Sequence, residues 1–256
     1  MSVLRQPAEP SRWSGFRNAL VLIAALVALW QGLYWWVGDV ALASPLTTLR
    51  YTAHLVTGES FGMHVFDTMR AFTIAYALSV AIGLLVGFWL GFDKLSGDTL
   101  EPMIVAVYAL PKLTLYPILL LAFGLGLSAK VAFGVLHGVI PIILFTLAAV
   151  RNTKPILIKT GHVLKLSRSQ MVRWILFPAA IPEIFTGLRV GFALTLIGCL
   201  LAEMFASQRG LGYLLMTGIG LHNVELIMSV TLLIIAFAAA VSVLLLQIDL
   251  RLHRRV

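Results

Sequence analysis

The polar positions divide the chain into long apolar runs joined by short charged stretches. No Asp, Glu, Lys or Arg lies between Arg17 and Asp39, between Arg70 and Asp93, between Lys130 and Arg151, or between Glu225 and Asp249, and each gap holds 20 or more residues. A helix rises about 1.5 Å per residue and needs about 20 residues to cross the hydrocarbon of a bilayer. Two further runs, Pro102 to Phe123 and Glu183 to Phe205, are interrupted by Lys112 and Arg189. The pattern predicts an all-α integral membrane protein with about six transmembrane helices. A single transmembrane domain covers 18–250, between tails at 1–17 and 251–256, and its longest loop, 151–182, joins the fourth span to the fifth. The first run lacks a small-residue cleavage site and reads as a retained helix rather than a signal peptide.

Composition agrees: 60% of the residues are hydrophobic and only 12% charged, with a mean hydropathy of +0.96. A soluble core of this length has no use for so much apolar surface, whereas lipid accepts it on the outside of a bundle. The net charge of +8 would suggest nucleic acid in a soluble protein, but these cations sit between apolar runs and read as orientation signals. Arg5, Arg12 and Arg17 precede the first span. Arg151, Lys154, Lys159, Lys165, Arg168 and Arg173 follow the fourth, and Arg251, Arg254 and Arg255 follow the sixth. Six spans place all three segments on one side; five or seven would divide them. The opposite loops hold only Arg50, Arg70, Lys130 and Arg209. The positive-inside rule then puts both termini in the cytoplasm.

Small residues recur at helical spacing: Gly83, Gly87 and Gly91, then Gly134 and Gly138, then Gly187 and Gly191. Such stripes let helix backbones approach closely in lipid. Pro111 and Pro117 fall in the third span and Pro141 in the fourth. Proline removes a backbone hydrogen bond and kinks a helix, and broken helices line pathways in many transporters. The third span is thus the candidate pathway lining, with bundle curvature the other reading.

The loop after the fourth span is amphipathic. Ile156, Leu157, Ile158, Val163 and Leu164 cluster at helical spacing, with Lys159, His162 and Lys165 on another face. Ser167 with Gln170 three residues on has the form of a capping box and predicts the start of a second helix, which Pro178 would end. Two short basic amphipathic helices at a membrane surface suit anionic lipid or a cytoplasmic partner equally well.

The stretch Phe177-Pro178-Ala179-Ala180-Ile181-Pro182-Glu183-Ile184-Phe185-Thr186-Gly187-Leu188-Arg189 resembles the cytoplasmic-loop signature of binding-protein-dependent ABC importer permeases. Leu110-Pro111-Lys112-Leu113-Thr114-Leu115-Tyr116-Pro117 with Ala122-Phe123-Gly124-Leu125-Gly126, and Ala202-Glu203-Met204 with Gly210-Leu211-Gly212-Tyr213, resemble the nitrate, sulfonate and taurine branch. The blocks come in the family's order over roughly 101–215. The resemblance implies a permease subunit in a bacterial inner membrane that forms a homodimer and translocates a small solute, such as sulfonate, nitrate or taurine. An extracytoplasmic binding protein would deliver it to the loops around 39–67 and 207–223. ATP and Mg would be held by a separate ATPase chain. It also implies ATPase coupling through Lys159, Thr160, Gly161, Lys165, Ser167, Arg168 and Pro178. The family's motif opens with Glu-Ala-Ala and has Gly four residues later; here those positions are Lys159-Thr160-Gly161 and Lys165. Replacing a turn glycine matters, because glycine reaches backbone conformations that other residues resist.

The chain itself has no G-x-x-x-x-G-K-[S/T] phosphate loop; Gly124 to Lys130 has the wrong spacing. Its six histidines form no metal motif, and the lone Cys199 reads as a packing residue. No catalytic set or metal site is expected, and no cofactor bound by this chain. Three charges at membrane depth need an account, since they are costly there. Lys112 either snorkels or faces a cavity suited to anions. Arg189 snorkels toward the cytoplasm, and Glu203 either anchors an outer gate or sits at the interface. With Pro111 and Pro117, Lys112 and Glu203 are the candidate pathway or gate residues. An ATP-independent secondary transporter or channel is the alternative, which inverted repeats or paired intramembrane acids would favour.

Overall fold

The computed structural model describes residues 12–253; the basic residues Arg5, Arg254 and Arg255 fall outside the described residues. Every regular element described is helical. In order they are α1 (Arg12–Val37), α2 (Pro45–Thr57), α3 (Phe61–Phe92), α4 (Lys94–Ala109), a 3₁₀ turn (Lys112–Leu115) and α5 (Tyr116–Phe123). Then come α6 (Leu127–Arg151), α7 (Pro155–Val163), α8 (Arg168–Met171), a π turn (Val172–Leu176), α9 (Phe177–Ala206), α10 (Leu211–Gly220) and α11 (Val224–His253). Helices α1, α3, α6, α9 and α11 are long and apolar enough to cross a membrane, and the bent pair α4–α5, a broken span or a re-entrant loop by its shape, brings the candidate spans to six if it counts as one.

Helix α6 is the centre of the bundle, and glycine stripes place it there. A Cβ on Gly83 would meet Ile142, one on Gly87 Thr146, and one on Gly91 Val150. Both series ascend together, so α3 and α6 run parallel. On the other side Gly187 faces Phe145 and Gly191 faces Ile142, in descending order, so α9 is antiparallel. Gly138 lies against Thr195, and Gly134 against Cys199 and Ala75. These contacts are the packing role expected of the stripes. Cys199 is fully buried among them.

The third span differs from a kinked continuous helix. It breaks at Leu110–Pro111, and its halves meet at 89°. Proline disfavours the helical region for its predecessor, and Leu110 sits at ψ 141°. The break leaves a short 3₁₀ turn before α5 starts with Pro117 in its first turn. At the start of α4, Asp93 caps the helix by accepting the Ser96 amide at 3.3 Å and the Ser96 hydroxyl. The hydroxyl bond leads in holding the Asp93 carboxyl below the usual carboxylate range.

Pro178 also differs from its expected role. It does not end a short helix. Residues 169–206 form one apolar helical run in which the Phe177 amide bonds the Val172 carbonyl through the π turn. Pro178 follows directly on this π turn, at the start of the α-helical geometry of α9. The stretch 151–182 thus holds α7, α8 and the π turn and runs into α9 without a break at Pro178.

Candidate functional site

Three places bring together the residues that the sequence singles out. The first is the break in the third span. Lys112 opens the 3₁₀ turn, half-buried, with Nζ 4.5 Å from the centroid of the Tyr108 ring. An ammonium over an aromatic face gains cation–π attraction without spending its hydrogen bonds. Pro111 supplies the preceding carbonyl, which accepts from the Thr114 hydroxyl at 2.7 Å. Tyr108 also borders a cleft of about 450 Å³ with Arg189, Ser242 and Leu246. The Arg189 guanidinium lies 3.5 Å from the carboxylate of Asp249, near the C-terminal end of α11. His137 of α6 is buried, and its Nδ1 is 2.9 Å from the Phe133 carbonyl one turn back, a bond within its own helix.

The second place lies at the opposite end of the bundle from 152–176. Glu203 is 0% exposed and Lys130 6%. Lys130 lies within α6 rather than in a loop, and it meets Glu203 of α9 at 3.3 Å. The Glu203 carboxylate also accepts from the Thr68 hydroxyl at 2.7 Å and the Gly212 amide at 3.0 Å. Thr68 in turn accepts the Leu211 amide at 2.8 Å, and His64 Nδ1 accepts the Gly210 amide at 3.2 Å. Lys130 donates to the Arg209 carbonyl at 2.9 Å. The first amides of a helix have no partner within it, and the helix dipole favours negative charge there. Glu203, Thr68 and His64 supply those partners to α10 from α3 and α9. Gly210 is required for the fit: its φ is +122°, and a Cβ there would fall on the Glu203 carboxyl.

The third place is 152–176. Ser167 and Gln170 exchange the two bonds of a capping box, Ser167 N–H to Gln170 Oε1 at 2.9 Å and Gln170 N–H to Ser167 Oγ at 3.3 Å. Arg168 opens α8. Helix α7 ends with the Leu166 amide on the Gly161 carbonyl at 3.1 Å, the 6→1 bond of a Schellman turn. Lys165 holds the position where such a turn takes glycine, at φ 53°. Gly161 is buried where α7 meets the following turn; a Cβ there would fall 2.5 Å from Met171 Cε. Lys159 and Thr160 are exposed, with the Thr160 hydroxyl bonded to the Ile156 carbonyl at 2.9 Å. Ile156, Val163, Leu164 and Trp174 are exposed beside these cations.

Sequence reasoning missed Lys130 because it delimits an apolar run and so reads as a loop charge. An acid near one end of α9 facing a cation near the same end of α6 is visible only once α6 and α9 pack antiparallel. Among the described residues no cluster of His, Cys, Asp and Glu is gathered that could hold a metal.

The long apolar helices packed in this bundle are those of a multi-pass membrane protein. The chain belongs to the family of binding-protein-dependent transport system inner membrane components, matched over residues 79–256; it is a permease subunit of an ABC importer. It is 30% identical over 202 residues to the nitrate import permease protein NrtB of Synechocystis sp., covering 75% of this chain and 73% of that protein. It is 28% identical to the putative aliphatic sulfonates transport permease protein SsuC of Bacillus subtilis (79% of this chain, 74% of that one). The identity is 27% to the taurine transport system permease protein TauC of Escherichia coli (79% and 78%). The MetNI methionine ABC transporter in an inward-facing conformation shares the fold, with a TM-score of 0.65 at 16% identity over 74% of this chain and 94% of that one.

Proposed function

We propose that the permease translocates a small anion of the sulfonate, nitrate or taurine kind across a bacterial inner membrane, as half of a homodimer with the pathway near its centre. Two ATPase chains, which hold ATP and Mg, dock on 152–176 in the cytoplasm. Both termini lie on that side, by the distribution of Lys and Arg. A binding protein delivers solute to the opposite face, around α2 and α10, and membrane lipid surrounds α1 and the outer faces of the bundle. The observation that carries this reading is the exposed apolar and basic surface of 152–176, seated directly on the π turn that continues into α9. A push on that loop moves the fifth span as a rigid body. ATP shifts the two-state equilibrium only through the difference in affinity it creates between the states. The substrate class rests on Lys112 at the break and on the solutes named for the three relatives.

The experiment is uptake into proteoliposomes holding this chain, its ATPase and its binding protein. Accumulation of labelled taurine or nitrate that requires ATP supports the proposal. Uptake that proceeds without ATP supports the secondary transporter instead.

A further inference from the structure

We propose that a basin at the end of the bundle opposite 152–176 is a receiving site for a small oxyanion, a sulfonate or nitrate group, distinct from Lys112 and the broken span. The inference rests on the importer reading. The basin has a volume of about 560 Å³ and is lined by Asp67, Arg70, Lys130, Ser207, Gln208 and Arg209, among others. It thus sets three cations against one carboxylate. Its parts are built rather than incidental. Lys130 is buried, and two of its three donors go to Glu203 at 3.3 Å and to the Arg209 carbonyl at 2.9 Å. The Arg209 backbone is held again by Ser207, whose hydroxyl donates to the Arg209 carbonyl at 2.5 Å and accepts the Arg209 amide at 3.2 Å. The loop carrying the Arg209 guanidinium is therefore fixed over the ammonium of Lys130. Arg70 comes from α3, two residues beyond Thr68, which is tied to Glu203. Guanidinium groups present planar forks that match oxyanions in pairs, and Lys adds a point charge. Glu203 pairs with Lys130 from the protein side without lining the basin, so the positive excess at the opening is that of Arg70 and Arg209 over Asp67.

The test is calorimetric titration of methanesulfonate and of nitrate into the purified chain in phosphatidylcholine nanodiscs. Saturable binding at one site per chain is expected, weakened about tenfold or more by Arg70→Gln with Arg209→Gln, since each charged hydrogen bond contributes on that order. The same charge removed at exposed Arg50 (R50Q) leaves the affinity unchanged. Both arginines are exposed, so equal melting temperatures for the double variant and the parent show that folding is not the cause. Absence of saturable binding overturns the proposal, as does equal affinity in the double variant. Phosphatidylglycerol retained through Arg70 and Arg209, with no methanesulfonate binding, overturns it in favour of a lipid headgroup. ATPase complex formation by the same variants separates the two readings: an intact complex without anion binding removes only the basin, whereas no complex in the parent removes the importer assembly.

Discussion

Glu203 of α9 and Lys130 of α6 form an ion pair at 3.3 Å with both side chains almost wholly buried, and the same carboxylate caps the first turn of α10. One acid thus joins two spans and a short helix. Removing one partner of a buried pair leaves an uncompensated charge, which costs about 3–5 kcal/mol. Glu203→Ala is expected to lower the melting temperature sharply and to raise amide exchange at 210–213. Lys130→Met with Glu203→Leu recovers most of the stability, while the start of α10 stays looser because the Gly212 amide remains uncapped. Thermal unfolding and hydrogen exchange on the three variants check this.

Lys165 at φ 53° occupies a left-handed position, which costs a non-glycine residue roughly 1–2 kcal/mol. Lys165→Gly is expected to slow exchange across 155–176 and Lys165→Val to accelerate it. Opposite signs for two substitutions that both remove the charge separate backbone strain from electrostatics.

The six-span plan is legible in the spacing of charges because lipid forces long uninterrupted apolar runs. The capping box is legible because both of its residues are local. The break at Leu110–Pro111 is half legible: proline marks the place, but the 89° angle depends on what α5 packs against. Continuity through Pro178 is not legible, because the π turn that accommodates it leaves no periodic mark in five residues. Lys130 and Glu203 lie 73 positions apart, and only the glycine-mediated approach of α6 to α9 brings them together.

That approach gives its own test. A Cβ on Gly138 would collide with the Thr195 hydroxyl and lie 3.0 Å from the Gly191 carbonyl. Overpacking of this kind costs about 1–3 kcal/mol. Gly138→Ala should therefore melt earlier in detergent, whereas Gly62→Ala, with no neighbour within 4 Å, should not move the melting temperature through packing.

Lys112 over Tyr108 predicts a transport defect without a folding defect. Lys112→Gln is expected to reduce ATP-driven anion uptake about tenfold, the loss of roughly 1.4 kcal/mol from one charge–charge interaction at depth, with ATPase binding unaltered. Proteoliposome uptake beside a pull-down of the ATPase checks both halves.

The central claim is that 152–176 docks the motor, and co-purification tests it most directly. Val163 and Leu164 are 80% and 63% exposed, so Val163→Glu with Leu164→Glu leaves the bundle intact. The account predicts that the parent chain in lipid retains its ATPase and supports ATP hydrolysis, and that the double variant, melting at the same temperature, loses both. An ATPase retained equally by the two chains would contradict it.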